Sequence, residues 1–227
     1  MTKPFFAIII LCVTTKLLAQ KQVNVQFNHR INNGDLVLND STYLIKNDRI
    51  NLETLKYYIT NIELYNHEKL VWKEKESAHL IDEENPKTKH FVLTKVPQNR
   101  AFNTLKFDIG VDSLTNVSGA HGDDLDPTKG MYWTWQNGYI NFKLEGKNPI
   151  CNTPKHQFTF HIGGYKKPCY ALQKVVLNVK KSDTIVISVN LNALLDPINF
   201  SKTNQIMLPD TAAFRQSLSL PKMFFIP

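Results

Sequence analysis

The stretch HGDDLDPTKGMYWTWQNGYINFKLEG, residues 121–146, contains two of the three tryptophans, an Asn-Gly pair and an acidic loop. Trp133 and Trp135 are two residues apart, so in an extended segment both indoles project from the same face. Asn137-Gly138 favours a two-residue hairpin turn, because a type I′ turn needs positive φ at both central positions. The stretch therefore predicts a β-hairpin that carries a pair of indoles.

The rest of the chain also reads as strands and turns. Residues 23–29 alternate cleanly, with Val23, Val25, Phe27 and His29 on one face. Helix signals are scarce, and they fall at Leu191–Asp196 and at Asp210–Leu218, where Asp210 is a candidate N-cap. With no repeat or interdomain linker, the sequence predicts one all-β domain. We expect an antiparallel β-sandwich or barrel with loop insertions and one or two short helices. Further strands are predicted at residues 43–46, 50–65, 70–73, 90–93, 104–111, 157–163, 174–179 and 184–191.

The N-terminus predicts export. Lys3 precedes a short apolar run, Phe5–Val13, which is too short to span a bilayer and is typical of a secretory signal peptide. We place the signal peptide at residues 1–20 and the domain at residues 21–227, in a periplasmic or secreted protein that does not span the membrane. The formal charge of +7 comes from scattered lysines without a basic stripe, which argues against nucleic-acid binding.

Cys151 and Cys169 remain after removal of the signal peptide. Two cysteines of an exported chain are expected to form a disulfide, because that compartment is oxidising. The alternative, a thiolate metal site, lacks the Cys-x-x-Cys spacing that would support it.

Several side chains are candidates for metal binding. A single histidine is usually a surface residue or a satisfied core residue, but His29 ends an apolar row and His161 lies at a strand end beside two glycines. On residues 157–163, Phe158, Phe160 and Ile162 share one face and His161 lies on the other. The acidic loop, which contains Asp123, Asp124 and Asp126, lacks the spacing of a calcium loop and is read as solvated. No nucleophile–base motif supports catalysis, so we expect a non-enzymatic protein.

Five segments together resemble the MbnP family of exported copper-binding proteins, which is named for its association with methanobactin systems. They are Gly130–Tyr139, Leu144–Gly146, Phe158–Gly164, Phe27–Arg30 and Leu55–Ile62. The resemblance covers most of the mature chain in the same order. It implies a periplasmic or secreted β-rich protein that holds copper.

The resemblance also implies a ligand set. In some relatives a tryptophan is oxidised to kynurenine by a partner di-haem enzyme of the MauG type and helps to form the copper site. The corresponding candidates in this chain are His29 and His161 as ligands, Trp133 or Trp135 as the modified residue, and His121 as an additional ligand. Two neutral imidazoles from separate strands suit Cu(I), and a kynurenine adds a carbonyl and an aromatic amine.

Two functions from different classes follow. The first is a copper-binding protein that sequesters copper or passes it on in the periplasm. The second is an extracellular recognition domain that binds a carbohydrate or a protein through its aromatic side chains, without metal. Convergence of the two histidines and the two tryptophans on one pocket favours the first. Exposed indoles with separated histidines favour the second.

Overall fold

The computed structural model describes residues 20–227. The predicted signal peptide, apart from Gln20, lies outside the described residues. The fold is all-β, as predicted. The strands are β1 Gln20–Ile31, β2 Gly34–Asp35, β3 Thr42–Ile45, β4 Asp48–Asn66, β5 Lys69–Lys73, β6 Ala78–Asp82, β7 His90–Pro97, β8 Thr104–Ile109, β9 Tyr132–Trp133, β10 Gly138–Lys147, β11 Gln157–Gly163, β12 Gln173–Asn178, β13 Thr184–Asn190, β14 Gln205–Ile206 and β15 Phe224–Phe225.

The strands form two sheets. The five-stranded sheet has the order β15-β13-β1-β2, and β7 also pairs with β1. The ten-stranded sheet has the order β12-β8-β4-β10-β11-β14, with β3, β5 and β6 on β4 and with β9 on β10. Most pairings are antiparallel, but β1 with β13 and β11 with β14 are parallel.

The main core lies between the two sheets. Val23, Val25 and Phe27 of β1 are all at most 1% exposed, which confirms the alternation predicted for this strand. The Phe27 ring meets the Tyr57 ring of β4 edge-on, with centroids 6.3 Å apart. Tyr57 in turn stacks on Phe142 of β10 at 5.8 Å. The inner face of the larger sheet is therefore the face that carries Tyr57 and Phe142.

A second, smaller core covers the outer face of the larger sheet. It contains Tyr58 of β4, Tyr139 and Ile140 of β10, and residues of the loop region that leads into β9, among them Met131 and Trp133. Tyr58 and Tyr139 meet edge-on at 5.8 Å. The segment that leads into β10 thus covers the outer face of the sheet, where Leu125, Met131 and Trp133 are buried.

Three short helices complete the fold: α1 Ser113–Val117, α2 Asn192–Leu195 and α3 Thr211–Ser217. The positions of α2 and α3 confirm the two predicted helices. Asp210 caps α3 as predicted, since its side chain accepts hydrogen bonds from the backbone of Ala212 and Ala213. Short 3-10 helices occur at Pro86–Lys89, Asp123–Leu125, Pro127–Lys129, Pro154–His156 and Leu220–Met223. Within residues 20–227, no helix has the length and apolar character needed to cross a membrane.

The predicted hairpin is present, but its turn differs from the prediction. Trp133 pairs with Gly138, so the turn consists of residues 134–137 and Gly138 already belongs to β10. Asn137 has the predicted positive φ, 51°, but Gly138 does not. Gly138 has another role, because a Cβ atom there would lie 3.0 Å from Cε1 of Tyr165. Asn137 is therefore required by the conformation of the turn, and Gly138 is required by the close packing of Tyr165.

Candidate metal centre

His29 lies in the interior between the sheets, where both of its ring nitrogens have partners. Its Nδ1 is 2.5 Å from Oε2 of Glu83, and its Nε2 is 2.7 Å from the hydroxyl of Tyr57. Glu83 also accepts a hydrogen bond from Nζ of Lys89 at 2.9 Å. The His29 side chain is fully buried, and the residue as a whole is 4% exposed.

The electrostatics of this network fix the state of the imidazole. Burial lowers the pKa of His29 below its ordinary value, although Glu83 opposes that effect. Burial favours the neutral form of Glu83, but hydrogen bonds from His29 and Lys89 outweigh it and lower the carboxyl pKa. Burial also raises the pKa of Tyr57 well above its ordinary range. His29 is therefore neutral. It donates a hydrogen bond from Nδ1–H to an ionised Glu83 and accepts one at Nε2 from the Tyr57 hydroxyl.

His161 has a different environment. Its Nε2 is 2.7 Å from Oε1 of Glu145 on the neighbouring strand β10. No other described residue hydrogen-bonds to the ring. The His161 side chain is 11% exposed. His161 therefore offers a nitrogen lone pair, whereas His29 offers none without breaking a buried hydrogen bond.

The two histidines lie on opposite faces of the ten-stranded sheet. In the register, Phe142 pairs with Tyr57 and Ile162, whereas Lys143 pairs with Lys56 and His161. Since neighbouring residues of a strand point to opposite faces, His161 is on the outer face. His29 contacts Tyr57 from the inner side. The expectation that the two imidazoles meet at one ion is therefore corrected by the structure, because the sheet lies between them.

The two tryptophans lie on the outer face with His161. A Cβ atom at Gly163 would lie 2.8 Å from Cζ3 of Trp133, so the indole rests directly on the end of β11. His161 is two residues earlier in the same strand and points to the same face. The Trp133 and Trp135 rings are 6.1 Å apart at an angle of 50°. Trp133 is 6% exposed and Trp135, in the turn, is 61% exposed, so the predicted pair has one buried and one exposed indole.

The structure places His121 in the loop after α1. Its Nε2 is 2.8 Å from the hydroxyl of Ser118, and its backbone N–H donates to the hydroxyl of Tyr139. In the acidic loop that follows, Asp124 accepts from the Leu80 backbone and from Lys129, and Asp126 caps the 3-10 helix at Pro127–Lys129. These contacts hold the loop together and attach it to the larger sheet. Over the described part of the chain, no three side chains of His, Cys, Asp or Glu are grouped to hold a metal ion.

The predicted disulfide is not present, and both Cys151 and Cys169 are free thiols. Cys151 lies before β11, where its carbonyl accepts a hydrogen bond from His156. Cys169 lies beyond the other end of β11, where its carbonyl approaches Gly164. The seven extended residues of β11, which span about 20 Å, lie between the two cysteines in the chain.

Sequence reasoning missed the partners of both histidines. In the sequence, Tyr57 and Glu145 lie in predicted strands or family-like segments, and Glu83 lies in a turn. Nothing in those patterns marks any of the three as the partner of a histidine. Glu145 can be recognised as a partner once the register between β10 and β11 is known. In an antiparallel hairpin, its position two residues from the partner of His161 makes it a diagonal neighbour of that histidine.

The side chains on the outer face meet part of the requirement for copper. Nδ1 of His161 is an imidazole nitrogen of the kind that Cu(I) accepts. An unmodified indole adds no lone pair, because its N–H only donates. Trp133, which packs on Gly163 two residues from His161, therefore adds an apolar surface and no ligand, and a second donor has to come from a modified side chain or from another molecule.

The two packed sheets, the second core on the outer face and the indole pair beside His161 define a class of two-sheet β-proteins with an aromatic-walled histidine. The family model described as MbnP matches residues 20–208, and the chain belongs to the MbnP family. Among solved structures, the chain is similar to MbnP from Methylosinus trichosporium. The identity is 18% and the TM-score 0.60, over 81% of this chain and 80% of that chain. At that identity the similarity shows the fold. A search of the curated proteins found no match.

Proposed function

We propose that this MbnP-family protein is an exported, non-enzymatic copper-binding protein that sequesters copper or passes it on in the periplasm. We place the copper on the outer face of the ten-stranded sheet, at His161 beside Trp133 and Trp135. One observation carries this assignment. Of the two histidines on the predicted strands, only His161 has a ring nitrogen to which no described residue hydrogen-bonds.

The surroundings of His161 suit a soft cation. The His161 side chain is 11% exposed, so little water competes for the ion. The Trp133 indole shields the position along β11. Oxidation of one tryptophan to kynurenine by a MauG-type di-haem partner would add an oxygen and a nitrogen donor on the same face. Trp135 is the more accessible of the two to such a partner, since it is 61% exposed.

Titration of Cu(I) against a competing chelator tests the proposal. His161→Ala should weaken copper binding by more than the roughly 10- to 100-fold that follows loss of an outer-shell partner, because it removes a direct ligand. The protein should be isolated from its native host as well as from a recombinant source, and intact-mass spectra should be recorded for both. Only the native sample can carry an oxidised tryptophan.

The matched control is His67→Ala, which removes an exposed imidazole on a turn. We expect it to bind copper as the unaltered protein does. Copper affinity in His161→Ala equal to that in the control would disprove the assignment of His161.

The separation of His29 and His161 by the larger sheet and the exposure of Trp135 support a second candidate, recognition of a carbohydrate or protein through an aromatic side chain. Under this hypothesis Trp135→Ala should abolish binding to a glycan array or to a captured partner, and chelation of copper should not affect it. Equal array signals for Trp135→Ala and the unaltered protein would count against recognition through this residue.

A further inference from the structure

Glu145 determines which nitrogen of His161 carries the proton. Its carboxylate lies 2.7 Å from Nε2. The imidazole and a cation on the same face, Lys143, both favour the ionised form of this carboxylate. An ionised carboxylate only accepts hydrogen bonds, so the proton between the two groups belongs to Nε2. In the neutral imidazole the lone pair is then on Nδ1.

Glu145 is itself held in place. His161 pairs with Lys143, and Glu145 pairs with Thr159, so the two side chains are diagonal neighbours on one face of the β10–β11 pair. Nζ of Lys143 lies 3.6 Å from the Glu145 carboxylate. Thr54, on the adjacent strand β4, is the register partner of Glu145. Residues on two strands thus fix the carboxylate against which the imidazole is oriented.

His29 provides an internal contrast. It donates from Nδ1 to Glu83 and accepts at Nε2 from Tyr57, so it is the opposite tautomer with no free nitrogen. Both histidines have a carboxylate partner. They differ in which nitrogen the carboxylate engages and in whether the remaining nitrogen is free.

We infer that Glu145 is a positioning residue that holds His161 as the Nε2–H tautomer, so that metal binds through Nδ1. This inference rests on the proposed function, and it names the ligand atom and the carboxylate that prepares it. Carboxylate partners of this kind fix the tautomer and ring orientation of metal-binding histidines and raise their basicity. The inference predicts that Glu145 affects copper affinity without touching the ion.

Nitrogen NMR of ¹⁵N-histidine-labelled mature protein tests the inference. Without metal at neutral pH, long-range proton–nitrogen spectra should show His161 with a proton on Nε2 and His29 with a proton on Nδ1. Addition of Cu(I) should then shift the Nδ1 resonance of His161. Glu145→Ala should produce a mixture of His161 tautomers and weaken Cu(I) binding roughly 10- to 100-fold.

The matched control is Glu53→Ala. It removes a carboxylate on the same sheet that pairs with Lys147 of β10 and contacts no histidine. A proton on Nδ1 of His161, or unchanged tautomer and copper affinity in Glu145→Ala, would overturn the inference. The proposed function would fail in a different way, with the expected tautomers present and no shift on adding Cu(I).

Discussion

Replacement of His29 by alanine is expected to lower the free energy of unfolding by about 3–5 kcal/mol, the cost of removing one partner from a buried ion pair or hydrogen-bonded network. The substitution leaves the Tyr57 hydroxyl without its partner, and it leaves Oε2 of the nearly buried Glu83 with Lys89 alone. It also opens a cavity between the sheets. Urea denaturation followed by circular dichroism would measure the loss, and copper should play no part in it.

The matched control is His90→Ala, which removes an exposed imidazole at the start of β7. We expect its free energy of unfolding to change by no more than about 0.5 kcal/mol. The loss in the free energy of unfolding for Tyr57→Phe should lie between those of the two histidine variants, at about 1–3 kcal/mol. This substitution removes one hydrogen bond and leaves Nε2 of His29 unpaired. Equal stabilities for His29→Ala and His90→Ala would contradict a structural role for the network.

The same network makes stability depend on pH, with a sign that follows from the pKa shifts. The pKa of folded His29 lies below the ordinary 6.5, so between these values the unfolded chain binds the extra proton. The contribution of His29 to the free energy of unfolding is fully present above pH 6.5, and it is lost as the pH drops towards the pKa of the folded state. Glu83, also lowered from its ordinary 4.5, acts in the same direction at lower pH. His29→Ala should remove the His29 part of this acid sensitivity.

The features of the fold that depend on residues close together in the chain could be predicted from the sequence. The alternation of β1, the Asp210 cap of α3 and the opposite faces of His161 and Phe160 are all read from spacing along one segment. The position of β9 beside β10 also followed from the pattern. Each of these features depends on backbone periodicity, which a single sequence contains.

The errors concern relations between segments. Whether His29 and His161 meet depends on which face of the larger sheet packs on the smaller one, and the spacing within either strand does not contain that information. The disulfide prediction rests on the oxidising compartment, which does not determine how the segments that carry Cys151 and Cys169 are placed relative to each other. The partners Glu83 and Glu145 depend on the register between strands, which is set by packing across the whole sheet.

Gly163→Ala is expected to destabilise the protein by about 3 kcal/mol, the upper end of the range for overpacking, and to displace the indole beside His161. The new Cβ atom would lie 2.7 Å from the Tyr139 carbonyl oxygen and 2.8 Å from Trp133. The backbone oxygen belongs to a paired strand and moves only with the strand, so the indole has to give way. Urea denaturation and tryptophan emission, the latter in a Trp135→Phe background, would measure both effects.

Gly34→Ala is the matched control, because the nearest atom to its added Cβ is 3.7 Å away, an ordinary contact distance. We expect Gly34→Ala to keep its emission spectrum and its copper affinity. In Gly163→Ala the emission should shift to longer wavelength as Trp133 enters water, and copper binding should weaken although His161 and Glu145 are unchanged. If Gly163→Ala behaves as Gly34→Ala does, the indole is not held against β11, and the aromatic wall proposed for the copper position does not exist. A loss of copper binding without a change in stability would instead locate the effect in the position of the indole alone.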